Sequence, residues 1–271
     1  MVKRTIVVVT GAAWMGMAAL VTAAQAPAPS PSPAPPGAAR PAAPPPQNLQ
    51  VLPKDTPRPE LIRIMRSFAS ALGVRCIHCH VGQDTGDLKD MDFPNDAKPQ
   101  KKVAREMLRM TQAINQQYIA ALNRPNPVRV QCVTCHRGVT RPTTLETELT
   151  GAYEQRGVEG AVARYRELRE QYHGRAAYDF GPGTLNMMAE QRMATKPAEA
   201  VALLALNLEF HPDAAHTHFL MGEAHRATGD MEKARAEYER VLALDPANAQ
   251  AKRRLEEMKA PAPAASPSPT N

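Results

Sequence analysis

Two five-residue segments, Cys76-Ile77-His78-Cys79-His80 and Cys132-Val133-Thr134-Cys135-His136, share the order C-x-x-C-H and together use all four cysteines of the chain. Thiols three positions apart lie on one turn, where each can form a thioether to a vinyl group of one haem. The histidine that follows then sits beneath the iron as proximal ligand. The spacing implies two covalently bound haem c groups, on Cys76, Cys79 and His80 and on Cys132, Cys135 and His136. Zinc and a disulfide are the competing uses of such residues. Each pair carries its own adjacent histidine, and the pairs lie more than fifty residues apart, too far for one zinc site of the usual spacing.

The N-terminus reads as an export signal. Lys3 and Arg4 precede an apolar run over residues 6–24, which ends in Ala24-Gln25-Ala26, a small-x-small cleavage pattern. Residues 1–26 are expected to be a signal peptide or, if retained, an N-terminal anchor, since the run approaches the ~20 residues that span a bilayer. Haem is attached to c-type cytochromes outside the cytoplasmic membrane, so the motifs and the signal agree. The expected location is the periplasm, or the periplasmic face of the cytoplasmic membrane. Residues 27–46 are nearly all Pro, Ala and Ser and read as a disordered tether, and residues 260–271 as a tail of the same kind.

Between these ends the chain has room for two modest domains. A helix candidate precedes each motif. Leu61, Ile62, Met65, Phe68, Ala69 and Leu72 recur at helical spacing after Pro57 and Pro59, and Gly73 suits the position past the last turn. The second candidate runs from about residue 98 to 122, with Val103, Met107, Met110, Ile114 and Tyr118 on one stripe, and residues 123–127 stop it. Each helix has a methionine in the middle of its apolar face, placed to meet the iron opposite the histidine. Met65 and Met110 are the candidates, with core packing as the other role a methionine takes there.

The order helix with Met, Gly-containing turn, C-x-x-C-H, repeated, together with Leu52-Pro53-Lys54-Asp55, Ala71-Leu72-Gly73-Val74-Arg75 and Cys135-His136-Arg137-Gly138, resembles the cytochrome c subunit of photosynthetic reaction centres over residues 48–142. In that family a methionine on the helix beside the haem is the sixth ligand of most haems. The resemblance therefore implies Met65 with His80 and Met110 with His136, Met107 being the alternative to Met110 one turn away. Reaction-centre members carry four haems, whereas two motifs are present here. The polar loop over residues 81–97, with Met91 and Phe93, is expected to pack over a haem edge, Met91 being a weaker axial candidate. His78 is expected on the surface.

Beyond Pro142 the pattern changes. Gly222, His225, Gly229, Asp230, Ala234, Tyr238 and Asp245-Pro246 fall at the spacings of a 34-residue tetratricopeptide repeat over residues 215–248. One period earlier, Ala200, Leu204 and His211-Pro212 mark a weaker repeat over 181–214. Residues 146–173 read as a third helical pair, with Tyr153, Gly157, Ala161, Val162, Tyr165 and Leu168 inside, and Leu255 and Met258 as part of a capping helix. His211, His216, His218 and His225 cluster in sequence, but their repeat positions suit packing or surface roles better than a metal site.

The expected fold is thus mostly α: a dihaem c-type cytochrome module over residues 47–142, helix–turn–C-x-x-C-H repeated twice, followed over residues 146–259 by an α-solenoid of tetratricopeptide-like helical pairs. The first module carries 15 Lys/Arg against 8 Asp/Glu, and residues 143–259 carry 15 against 19. Ionised haem propionates would remove about four of those positive charges. A basic haem module suits redox partner proteins with acidic docking surfaces, or an anionic membrane surface; nucleic acid is not expected. Filled axial positions favour electron transfer without catalysis, and stacked repeats offer a surface to a protein partner. The alternatives are a haem enzyme such as a dihaem peroxidase, or an assembly scaffold whose haems are structural.

Overall fold

The computed structural model describes residues 45–259; the segments read as signal or anchor and as C-terminal tail, and the tether up to residue 44, lie outside the described residues. Helix α1, Arg58–Leu72, begins with Pro59 in its first turn, where the missing N–H costs no hydrogen bond. Gly73 ends it in the left-handed region (φ 66°, ψ 32°), and the Val74 N–H donates to the Ala69 carbonyl at 3.0 Å to close the last turn.

Helix α2, Pro99–Ala113, is followed without a break by a wider π turn, Ile114–Ile119, and a tight final turn, Ala120–Leu122, before Asn123 goes left-handed (φ 49°). One helix is expected over this span, and the helical path is continuous, but its second half is not regular α. The cause lies in Asn115. Its amide donates to the Thr111 and Val130 carbonyls and accepts the Val130 N–H, all at 2.8 Å, tying the widened turn to the strand-like segment that enters the second motif.

Residues 81–97 contain a feature that periodicity did not reveal. Strands β1, Val81–Gly82, and β2, Met91–Asp92, pair antiparallel with Val81 opposite Asp92 and Gly82 opposite Met91. The ribbon holds Met91 over Gly82, where a Cβ would stand 2.7 Å from the methionine sulfur.

After a short helix α3, Cys132–His136, the core lies in the second half. Helix α4, Leu145–Tyr172, is broken at Arg156 and Gly157 (φ 65°, ψ −159°). It folds back on itself, since Arg164 reaches Glu148 at 2.5 Å, whereas sixteen residues of straight helix span about 24 Å. Gly157 thus supplies the left-handed break between the two arms, with open space around its Cα where an inner-face position is expected, while Ala161, Tyr165 and Leu168 are buried. Helices α5, Gly183–Met193, and α6, Pro197–Phe210, form the next pair, α7, Ala215–Thr228, and α8, Met231–Leu244, the third, and α9, Ala249–Glu257, covers the end with Leu255 and Met258 packed inward. Gly222 admits the Tyr238 ring so closely that a Cβ there would stand 2.5 Å from it. A buried polar ladder crosses three helices: Asn207 donates to Asn186 at 2.8 Å, and Thr217 donates to Asn186 at 3.0 Å.

Candidate functional site

Each motif is one closed turn. In the first, the His80 N–H donates to the Cys76 carbonyl at 3.0 Å, and the Cys79 N–H to the same carbonyl at 3.2 Å. In the second, Cys132–His136 form a short helix, α3, whose entry is fixed by the Gln131 N–H donating to the Thr134 hydroxyl at 3.0 Å, and Arg137 (φ 49°) ends it. Both cysteines of each pair therefore sit on one turn with the histidine directly after. Cys76 and Cys135 are exposed, Cys79 and Cys132 half-buried. Burial pushes the Cys79 and Cys132 thiols up, against an opposing pull from Lys98 at Cys79.

The turns meet. The Gly138 N–H donates to the Ala71 carbonyl at 2.8 Å, so the chain just past the second motif lies against the end of α1, just ahead of the first. Helix α2 touches both: the Lys98 ammonium at its start donates to the Ile77 carbonyl inside the first motif, and Asn115 beyond its end holds Val130 ahead of the second.

The histidines are seated differently. His136 Nδ1 lies 2.8 Å from the Val139 carbonyl, which fixes the tautomer and leaves Nε2 as the free donor atom. His80 Nδ1 is buried without a hydrogen bond; the Phe93 backbone comes near enough to favour ring protonation, but without that alignment. Burial, with Lys101, Arg105 and Lys98 nearby, holds His80 below the usual imidazole range despite Phe93. The Phe93 ring stands edge-on to His80, centroids 5.0 Å apart. Beneath it, Lys101 donates to the Phe93 and Asn95 carbonyls at 2.7 and 2.9 Å, and Asp96 pairs with Lys101 at 2.7 Å and with Arg105 at 2.9 Å. The sequence pointed to Phe93 only as part of a loop, and gave no sign of Asn115, Lys98 or the lysine cage.

A covalently bound porphyrin needs two thiols and an imidazole nitrogen from one turn, and an apolar wall against its faces. The donor sets supply the first. For the second, residues 45–142 bury only Ala71 and Val139 among their hydrophobic side chains, while Val103, Met107, Met110, Tyr118, Leu122, Val128 and Val133 present their apolar surface outward. Val103, Met107 and Met110 on α2 present an outward apolar face, which fits a flat apolar group better than solvent. Met65 is half-buried on α1; Met107 and Met110 are 36% and 44% exposed on α2. Met91 belongs to the ribbon. His78 is half-buried, less exposed than expected.

Three of the four clustered histidines of the repeats have separate partners. His211 Nε2 lies 2.8 Å from the Phe180 carbonyl, His216 3.6 Å from Glu190, and His218 bridges Glu237 and the Pro212 carbonyl at 2.6 and 2.9 Å. Among the described residues no three His, Cys, Asp or Glu side chains converge on a metal-sized site.

The photosynthetic reaction centre cytochrome C subunit family matches residues 10–230, and the tetratricopeptide repeat family matches residues 215–248. A photosynthetic reaction center cytochrome c subunit of Roseobacter denitrificans is 33% identical over 110 residues, 40% of this chain and 28% of that protein. Cytochrome c-554 of Chloroflexus aurantiacus is 37% identical over 83 residues, 30% of this chain and 18% of that one. The chain thus spans less than a third of the length of either relative. The first tetratricopeptide domain of the human RPAP3 protein is 22% identical, covering 42% of this chain and 87% of that one, with a TM-score of 0.31.

Proposed function

The chain belongs to the photosynthetic reaction centre cytochrome c subunit family, and on that premise we propose that it is an exported two-haem c-type cytochrome that passes electrons between protein partners. Family membership implies covalently bound haem c; the count of two rests on the two complete motifs. When bound, each haem supplies one-electron exchange between ferric and ferrous iron. Cys76 and Cys79, and Cys132 and Cys135, provide the thioether sulfurs, and His80 and His136 the proximal nitrogens. Met65 and Met110 are the proposed sixth ligands, Met107 being the alternative to Met110. A thioether in that position raises the potential and closes the iron to substrate.

The observation that carries this reading is the hydrogen bond between His136 Nδ1 and the Val139 carbonyl, 2.8 Å long, which presents Nε2 as a ligand one residue after a cysteine pair already held on a single turn. The basic balance of the first module favours redox partners with acidic docking surfaces. The stacked helical pairs are proposed to hold a protein partner, and residues 1–26 to deliver the chain to the periplasm or anchor it at the membrane there. Among the described residues no helix is long and apolar enough to cross a membrane.

The test is the optical spectrum and haem content of the exported full chain. Pigment that survives acidified organic solvent, two haems per chain, a sulfur-to-iron band near the red end of the spectrum and no turnover of peroxide are the expected results. Colourless protein, or pigment extracted by that solvent, would sink the proposal, and peroxide turnover would replace it with a haem enzyme.

A further inference from the structure

The two histidine seats differ in two ways, and both act on a bound iron in the same direction. At His136 the Val139 carbonyl accepts from Nδ1 at 2.8 Å. That bond makes the opposite nitrogen a stronger donor and so favours the more positive, ferric iron. At His80 the Phe93 backbone is the nearby acceptor, but Nδ1 forms no hydrogen bond of comparable geometry to it. The His80 seat is also flanked by cations that are held in place. Lys98 donates to Ile77 within the motif, Lys101 donates to the Phe93 carbonyl, and Arg105 pairs with Asp96, the Lys101 and Arg105 side chains being 12% exposed. Asp96 offsets only one of these three charges. The acids of the ribbon loop, Asp84, Asp87, Asp90 and Asp92, are exposed, as are Arg137 and Arg141 beyond the second motif, so solvent screens them while the half-buried Lys98 is screened much less. Fixed positive charge favours the less positive, ferrous iron.

We infer that the two haem sites are unequal, the His80 site having the higher reduction potential, so that an electron shared by the chain rests there and the His136 site relays it, with Lys98 as a positioning residue that sets the difference. This rests on the two-haem reading above. With His/Met ligation proposed at both sites, ligand identity does not separate them; the seats do. With both groups bound, the internal step would move one electron from the group held by His136 to the group held by His80, oxidising the first and reducing the second, with no bond or proton changing place.

The experiment is an optical redox titration of the full chain carrying both haems. Two waves are expected, separated by at least about tenfold in occupancy ratio, or about 59 mV for one electron. Cys132→Ala with Cys135→Ala should leave a single wave at the upper position. Lys98→Gln should move the upper wave down and spare the lower one, and Lys98→Arg should restore it, which a merely structural role for Lys98 does not predict. A single remaining wave at the lower position, or Lys98→Gln moving the lower wave or neither, overturns the inference while the haem count stands. Loss of covalent pigment from the unaltered protein overturns the parent reading instead.

Discussion

Gly73 and Gly138 are in backbone contact: a Cβ placed on Gly73 would stand 2.2 Å from the Gly138 carbonyl oxygen, next to the Gly138 N–H bond to Ala71. The two motifs are therefore joined at their turns by direct backbone contact. Glycine is required at Gly73 twice over, for its positive φ of 66° and for the approach itself.

Gly73→Ala should cost about 2–4 kcal/mol, combining left-handed strain with overpacking against backbone that has nowhere to go. Urea unfolding of the haem-loaded protein, followed by haem absorbance, measures it. Gly86→Ala is the control. It has a similar positive φ, 85°, but nothing within 4 Å of the added Cβ, so strain alone predicts a loss of about 1 kcal/mol.

Asn115→Leu should loosen the entry to the second motif. The change removes three hydrogen bonds and leaves both polar groups of Val130 without their partner, at a cost of about 2 kcal/mol or more. Peptide mass analysis of the exported variant should show haem on Cys76 and Cys79 at the normal level and reduced haem on Cys132 and Cys135. Equal loss at both motifs would contradict a local role for Asn115.

What the sequence made legible follows from how local each signal is. The cysteine turns and the repeat over residues 215–248 are written within a few dozen residues, and α7 and α8 fall inside that span. The helix ends at Gly73 and Asn123 were readable for the same reason. The Gly73–Gly138 contact joins positions 65 apart, and neither glycine advertises the other. Asn115 reads as an ordinary polar helix residue until Val130 is placed beside it. Phe93 and the Lys101 cage depend on a ribbon of two residues per strand, too short for any alternation to register. Gly157 was visible, but helical spacing assigned it to a face when its backbone freedom was the relevant property.

Gly222→Ala tests the packing of the third helical pair. The new methyl would meet the ring of Tyr238, which is fully buried and held by Glu223 through its hydroxyl, so the ring cannot swing away. The expected loss is about 1–3 kcal/mol, read from the thermal unfolding of helical circular dichroism. Gly183→Ala, in a helix of the neighbouring pair with nothing within 4 Å of the added methyl, should be neutral or slightly stabilising.

Acid should open the first helical pair through Glu148. The Arg164 guanidinium, helped by the Thr143 hydroxyl, holds this carboxyl below its usual 4.5. Because the folded value is the depressed one, the carboxylate contributes stability above about pH 4.5 that is lost as pH falls through its lower folded value. Unfolding midpoints measured across pH 3–6 should therefore drop at the acid end by more in the unaltered protein than in Glu148→Gln, which lacks the titrating group. Parallel pH profiles for the two would refute the assignment.

The choice between Met110 and Met107 rests on one helical turn. Both lie on the outward apolar stripe of α2 and are similarly exposed, 44% and 36%, so hydrophobicity does not distinguish them, and the family resemblance favours Met110. Replacement by leucine keeps the volume and removes the sulfur, which limits packing losses to about 1 kcal/mol. Met110→Leu should reduce the sulfur-to-iron band by about half, the share of one of two sites, and lower the potential of that site. Met65→Leu should remove the other half. Met107→Leu should leave both the band and the potentials in place; if it alone removes the band at the second site, Met107 is the ligand, and α2 meets the iron one turn nearer its N-terminus.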